Sequence, residues 1–198
     1  MGGLYRLQKK DLDGCVETLA KAFDNYPMFV HILGDKYNLE NVKKFLRFLT
    51  KYTILYGEAY ATSNKLEGII LYIDFKKYKF GLIRSLRSGI LPVMKIGKEV
   101  GQRFMVFDEI TMRVHKEVIN SSHQYVILLG VNPEVQSKGL GTRLLGQVIS
   151  LAKRNGQACY LETHGEKNVA FYKKQGFQVA SEDEVPGAKV KQYAMILK

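Results

Sequence analysis

The chain has 198 residues, of which 46% are hydrophobic and 25% charged, a globular balance that allows one domain with a core of its own. Lys and Arg exceed Asp and Glu by 30 to 19, and the resulting net charge of +11 points to an anionic partner, with nucleic acid and a small polyanion both open. Cys15 and Cys159 belong to no Cys-x-x-Cys or Cys/His cluster and read as buried free thiols, which argues against a disulfide framework and a zinc site.

The longest apolar run, Tyr125 to Val131, is too short to span a membrane. No signal-peptide pattern opens the chain, and Arg6 stands where a myristoylation site needs Ser or Thr. A cytoplasmic protein without a membrane partner is expected. A short strand is expected at Leu4 to Leu7, then a helix with Asp11 as its N-cap and Leu12, Val16, Leu19 and Phe23 on one face. Asn25-Tyr26-Pro27 breaks that helix, and a second one starts near Asn38 and stops at Gly57. Glu58 to Ser63 and Leu66 to Phe75 read as a hairpin around Asn64-Lys65. Its second strand is almost continuously apolar, as in a sheet covered on both faces.

Residues 76–120 are basic and less regular, with helical character from Lys98 to Ile119 and broken helix or loop before it. From His123 the pattern sharpens. A strand to Val131 ends at Asn132-Pro133, and a helix from Gly139 to Asn155 carries Leu140, Leu144, Val148 and Ala152. A strand Ala158 to Glu162, a short helix Asn168 to Gln175, and strands Phe177 to Ser181 and Val190 to Leu197 follow. Strand, helix, strand at this spacing is a parallel unit with a right-handed crossover. The acidic run Glu182-Asp183-Glu184 falls in an expected loop, 182–189.

Chemistry concentrates in Val131 to Leu145. There a strand ends, a short loop follows, and Gly139 and Gly141 open a helix whose first amides have no intrahelical acceptor. Lys138 and Arg143 add positive charge. A P-loop is absent, and Leu144 occupies the third glycine position of a dinucleotide fingerprint. Gln136-x-x-Gly139-x-Gly141 resembles motif A of the GNAT acetyltransferases, and Asn168-x3-Tyr172-x3-Gly176-Phe177 resembles the segment that follows it in that family.

The resemblance implies a GNAT α/β fold, with a mostly antiparallel sheet of six to seven strands, a central parallel pair that splays, and flanking helices. It implies one domain over 1–198, with residues 76–120 as a helical insertion, and acetyl-CoA as co-substrate without a metal. Gln136, Ser137, Lys138, Gly139, Leu140, Gly141 and Thr142 would hold the diphosphate. Leu129, Gly130 and Val131 would run beside the pantetheine, with the Val131 amide serving the oxyanion. Asn168 would bond the pantetheine, and Tyr172 would protonate the departing thiolate.

The acceptor is expected to be a small primary amine, attacking directly. A protonated amine cannot attack, so a base is needed. Glu162 at a strand end is the first candidate, His123 the second, and Glu109 stands on the preceding helix. The substrate side would come from residues 24–37, 76–120 and 182–189. A nucleic-acid partner is disfavoured by the lack of any recognition motif. A homodimer stays open, as does a non-catalytic acyl-CoA sensor.

Overall fold

The computed structural model describes residues 3–185, 187 and 190–198. Part of the expected loop 182–189 lies outside the described residues. Chain order gives β1 (Tyr5–Arg6), α1 (Leu12–Ala22), α2 (Pro27–Leu33), α3 (Leu39–Tyr56), β2 (Glu58–Ala61), β3 (Gly68–Asp74), α4 (Leu82–Ser88), α5 (Leu91–Met94) and α6 (Lys98–Val118). The second half gives β4 (His123–Val131), α7 (Leu140–Arg154), β5 (Ala158–Thr163), α8 (Glu166–Lys174), β6 (Gln178–Glu184) and β7 (Lys191–Leu197).

All seven strands join one sheet in the order β1-β2-β3-β4-β5-β7-β6. Every neighbouring pair is antiparallel except β4 and β5, which are parallel and joined by the α7 crossover. The expected sheet is therefore present, with its parallel pair at the centre.

The apolar run of β3 is explained by cover on both faces. Ile69 and Leu71 pack into a core with Leu19, Phe29 and Leu46 from α1, α2 and α3. Ile70 and Tyr72 point the other way, into a core with Leu144, Leu145 and Val148 of α7. Strand periodicity sends alternate side chains to opposite layers, so one β-rich segment ties both layers together. Helix α3 starts where the Asn38 side chain accepts from the Asn41 amide at 2.8 Å. Both cysteines are buried and free, and burial pushes each thiol up to about 12.

Four expectations are corrected. Asp11 does not cap α1 with its side chain; its carboxylate turns back to accept from the Gln8 amide at 2.8 Å and from the Tyr5 hydroxyl. The segment at Asn25-Tyr26-Pro27 ends one helix but also starts another, because Pro27 occupies the first turn of α2, where its missing N–H costs nothing. The short helix expected at Asn168 begins at Glu166. Glu182, Asp183 and Glu184 belong to strand β6, not to a loop: Glu182 pairs with Lys191 at 2.7 Å, and Asp183 accepts from Ser181. Among the described residues no helix is long and apolar enough to cross a membrane.

Leu144 is fully buried between α7 and the sheet, whereas Leu82 on α4 is 76% exposed. Leu144→Ala is predicted to cost about 2–5 kcal/mol and Leu82→Ala less than about 0.5 kcal/mol, measured by denaturant unfolding.

Candidate active site

The parallel pairing of β4 with β5 lasts for three residues: His123 with Ala158, Gln124 with Cys159, and Tyr125 with Tyr160. β3 stays paired with β4 as far as Val131, and β7 stays paired with β5 as far as Thr163. The two central strands are thus held by their outer neighbours while they separate from each other. The gap opens into a cavity of about 120 Å³ whose lining includes Tyr26, Asp108, Leu129, Glu162, Asn168 and Tyr172. A second, more open cleft of about 550 Å³ shares Leu129, Asn168 and Tyr172 with the first and reaches the loop before α7. The two spaces therefore meet at those three side chains.

The loop is built as an anion cradle. Ser137 has φ 64° and Gly139 φ 76°. Left-handed residues alternating with ordinary ones turn successive amides toward one side, as in an anion-binding nest. For Ser137 that conformation is strained, a feature that clusters at ligand sites. Helix geometry leaves the amides of residues 139–142 without intrahelical acceptors. The Gln136 side chain donates to the Val131 carbonyl at 3.0 Å, closing the loop against the end of β4. A Cβ on Gly139 would meet nothing within 4 Å, so this face is open space. The chemistry and room of this loop fit a diphosphate.

Gly130 has a different neighbour. A Cβ there would come within 2.8 Å of Leu19 Cδ2 and 3.1 Å of Ala22 Cβ, so the glycine lets α1 lie directly on β4. Gly130 and Lys138 line neither cavity, whereas Phe171 and Lys174 of α8 line the cleft. The sequence reading missed those two; they lie inside the Asn168-to-Phe177 segment, one helical turn or less from Tyr172.

Glu162 sits in the gap with its side chain only 6% exposed. Burial drives its carboxyl up to about 7, and the nearby Tyr125 and Tyr160 hydroxyls offset only part of that rise. Behind it, His115 of α6 lies with its ring between Phe75 and Tyr160, at centroid distances of 4.0 and 3.9 Å.

Hydrogen-bond logic assigns the histidine tautomers. His123 Nδ1 is 2.6 Å from the Ser121 carbonyl, which can only accept, so Nδ1 carries hydrogen. His123 Nε2 then accepts from His115 Nε2 at 2.7 Å. That leaves His115 Nδ1 as a lone pair, 3.6 Å from Glu162 Oε1. Both atoms are buried without a hydrogen-bond partner. Burial lowers His115 to about 3, with His123 adding to the effect, so the ring stays neutral. The neutral ring offers Glu162 no positive charge, and the carboxyl keeps its proton below about pH 7.

Tyr172 lines both spaces, and burial raises its hydroxyl well above the ordinary phenol, so it holds its proton. Asn168 faces both spaces one helical turn earlier. The Tyr26 hydroxyl receives the His164 amide at 3.1 Å and lies 3.3 Å from Thr163 Oγ1, fastening the α1–α2 turn to the end of β5. His123 lines neither cavity and stands two groups behind the gap; Glu109 is exposed on the outer side of α6. His115 was missed because it belongs to no motif; only the topology brings it beside Glu162.

Residues 97–179 match the family model of the acetyltransferase (GNAT) domain. The chain is similar in fold to a histone acetyltransferase HPA2-related protein from Corynebacterium glutamicum, at 15% identity and TM-score 0.64, covering 98% of this chain and 96% of that one. It is also similar to arylalkylamine N-acetyltransferase 2 from Aedes aegypti, at 15% identity and TM-score 0.66, covering 98% and 97%. A third likeness is to PaiA N-acetyltransferase from Thermoplasma acidophilum in complex with coenzyme A, at 16% identity and TM-score 0.54, covering 100% and 99%.

Glu162 binds a proton more tightly in the folded chain than in the unfolded one. Between its ordinary value of 4.5 and about 7 the native state keeps the proton and the unfolded state releases it, so this residue makes stability fall as pH rises through that window. His115 acts in the opposite direction, losing stability as pH falls below its ordinary value of 6.5. The difference between parent and Glu162→Gln in denaturant unfolding is predicted to widen in the variant's favour from pH 4.5 to about 7 and then level off.

Proposed function

We propose that this chain is an acetyltransferase of the GNAT superfamily and moves an acetyl group from acetyl-CoA to the primary amine of a small acceptor with an apolar body. The observation that carries this reading is the position of a proton-binding carboxyl, Glu162, in a gap continuous with an anion cradle. In this reading the amides of residues 137–142 bind the diphosphate, with Gln136 closing the loop. The pantetheine runs past Leu129 and Val131 and beside Asn168, bringing the thioester to the gap.

The acceptor cavity supports the choice of amine. Phe29, Phe45, Phe104 and Phe107 form much of its wall, and the carboxylates of Asp108 and Glu162 face it. Aromatic faces and carboxylates together suit an ammonium on a hydrophobic body. Among structures of similar fold is an arylalkylamine N-acetyltransferase, an enzyme named for acceptors of this kind.

Attack on the thioester carbonyl forms the C–N bond and an oxyanion, which the Val131 amide can stabilise. Ionised Glu162 takes a proton from the attacking nitrogen and releases it to solvent as the site resets. The C–S bond breaks, and Tyr172 gives its proton to the thiolate.

Steady-state assays with acetyl-CoA and a panel of arylalkylamines test the assignment. Glu162→Gln is predicted to lower kcat about 100-fold or more and to remove the rise of kcat/KM through pH 7, with the KM for acetyl-CoA little changed. Tyr172→Phe is predicted to lower kcat more than it weakens cofactor binding. Unchanged turnover in either variant removes that residue from the mechanism.

A further inference from the structure

The segment between β3 and α6 carries a surface that acetyl transfer does not use. Residues 76–98 contain Lys76, Lys77, Lys79, Arg84, Arg87, Lys95 and Lys98 and no Asp or Glu. Arg84 is engaged internally: it donates to the Lys77 carbonyl at 2.7 Å and lies 4.6 Å over the Tyr56 ring. The other six are exposed and make no ion pair with any described residue.

Among these cations stand apolar side chains turned to solvent. Leu82 is 76% exposed, Ile83 72%, Met94 65%, Leu91 52% and Leu86 45%. These are five of the nine large hydrophobics exposed among the described residues, gathered into 13 consecutive positions. Leu82, Ile83 and Leu86 lie on one face of α4, one helical turn deep, with Arg84 and Arg87 flanking them. The inward residues of the same segment, Ser88 and Val93, keep α4 and α5 seated on the protein, so the outward set is left for another partner.

We propose that residues 76–98 dock on an anionic lipid surface, with Leu82, Ile83, Leu86, Leu91 and Met94 entering the boundary between headgroups and chains and the lysines and Arg87 meeting the headgroups. Apolar side chains rimmed by unpaired cations match that surface in both of its layers. A second copy of the chain meeting this face symmetrically would set six unpaired cations against six others. A nucleic acid would use the cations but has no place for exposed leucine, isoleucine and methionine, and the aromatics that could stack on bases, Tyr78 and Phe80, point into the protein. The sequence alone argues against a membrane partner because no segment can span a bilayer; a surface contact needs no span. Only Gly81 separates Phe80, which lines the acceptor cavity, from α4, so docking brings the acceptor side of the protein close to the lipid.

The surface stands whether or not the acceptor assignment does. Co-sedimentation of the full chain with phosphatidylcholine vesicles and with phosphatidylglycerol-containing vesicles tests it. Binding is expected to the anionic vesicles and not to the neutral ones, and to weaken at high salt. The double variant L82S/I83S keeps the charge and is expected to bind the anionic vesicles about tenfold or more weakly. K76E/K77E/K79E is expected to lose binding. Unchanged melting temperatures establish that these exposed substitutions leave the fold intact, and M94S provides an independent apolar variant. No sedimentation with anionic vesicles at low salt overturns the proposal. So does a parent-like affinity of both L82S/I83S and M94S, and duplex RNA binding that ignores the same substitutions then identifies a polyanion as the ligand.

Discussion

The site depends on one loss of hydrogen bonding, the end of strand pairing between β4 and β5 after Tyr125 and Tyr160. Open backbone edges inside a sheet are costly unless something satisfies them. Here the outer pairings hold both strands in place, so the gap is a fixed feature of the sheet. Tyr26 braces one wall of it through Thr163 and His164. A rigid gap can pre-position a reacting group without paying for closure at the moment of reaction.

Burial beside that gap explains the electrostatics. Glu162 is enclosed by aromatic residues and by a histidine whose free lone pair faces it, so burial outweighs what the Tyr125 and Tyr160 hydroxyls do to keep it charged. The same enclosure keeps His115 neutral. A carboxyl held near neutrality can take up a proton and release it again, which suits the base role proposed for Glu162. The anion cradle works in the opposite regime. Its amides are exposed and its helix start open, so it can meet a charged diphosphate directly.

Much of this was legible in the sequence. The β3 run, the α7 stripe and the paired glycines carried strong periodic or conformational signals, and the order of elements after His123 followed from them. Glu162 could be picked out because strand ends beside a parallel crossover are where such sites form. Other parts were hidden for physical reasons. Pro27 reads as a breaker, yet the first turn of a helix tolerates it, so α2 was missed. The acidic run at 182–184 reads as a loop, but an edge strand accepts charges because alternate residues face water. Gly130 reads as a backbone approach without naming its neighbour, which is α1. His115 lies 47 positions from Glu162 in the chain, and only the sheet topology joins them.

The central claim is that a diphosphate held at the start of α7 points a thioester into the gap between the diverging strands. A crystal structure of the complex with acetyl-CoA tests it most directly. The account predicts diphosphate oxygens within hydrogen-bond distance of amides in residues 137–142 and the acetyl carbon between Leu129, Glu162 and Tyr172. Acetyl-CoA bound elsewhere, with those amides facing solvent, would contradict it.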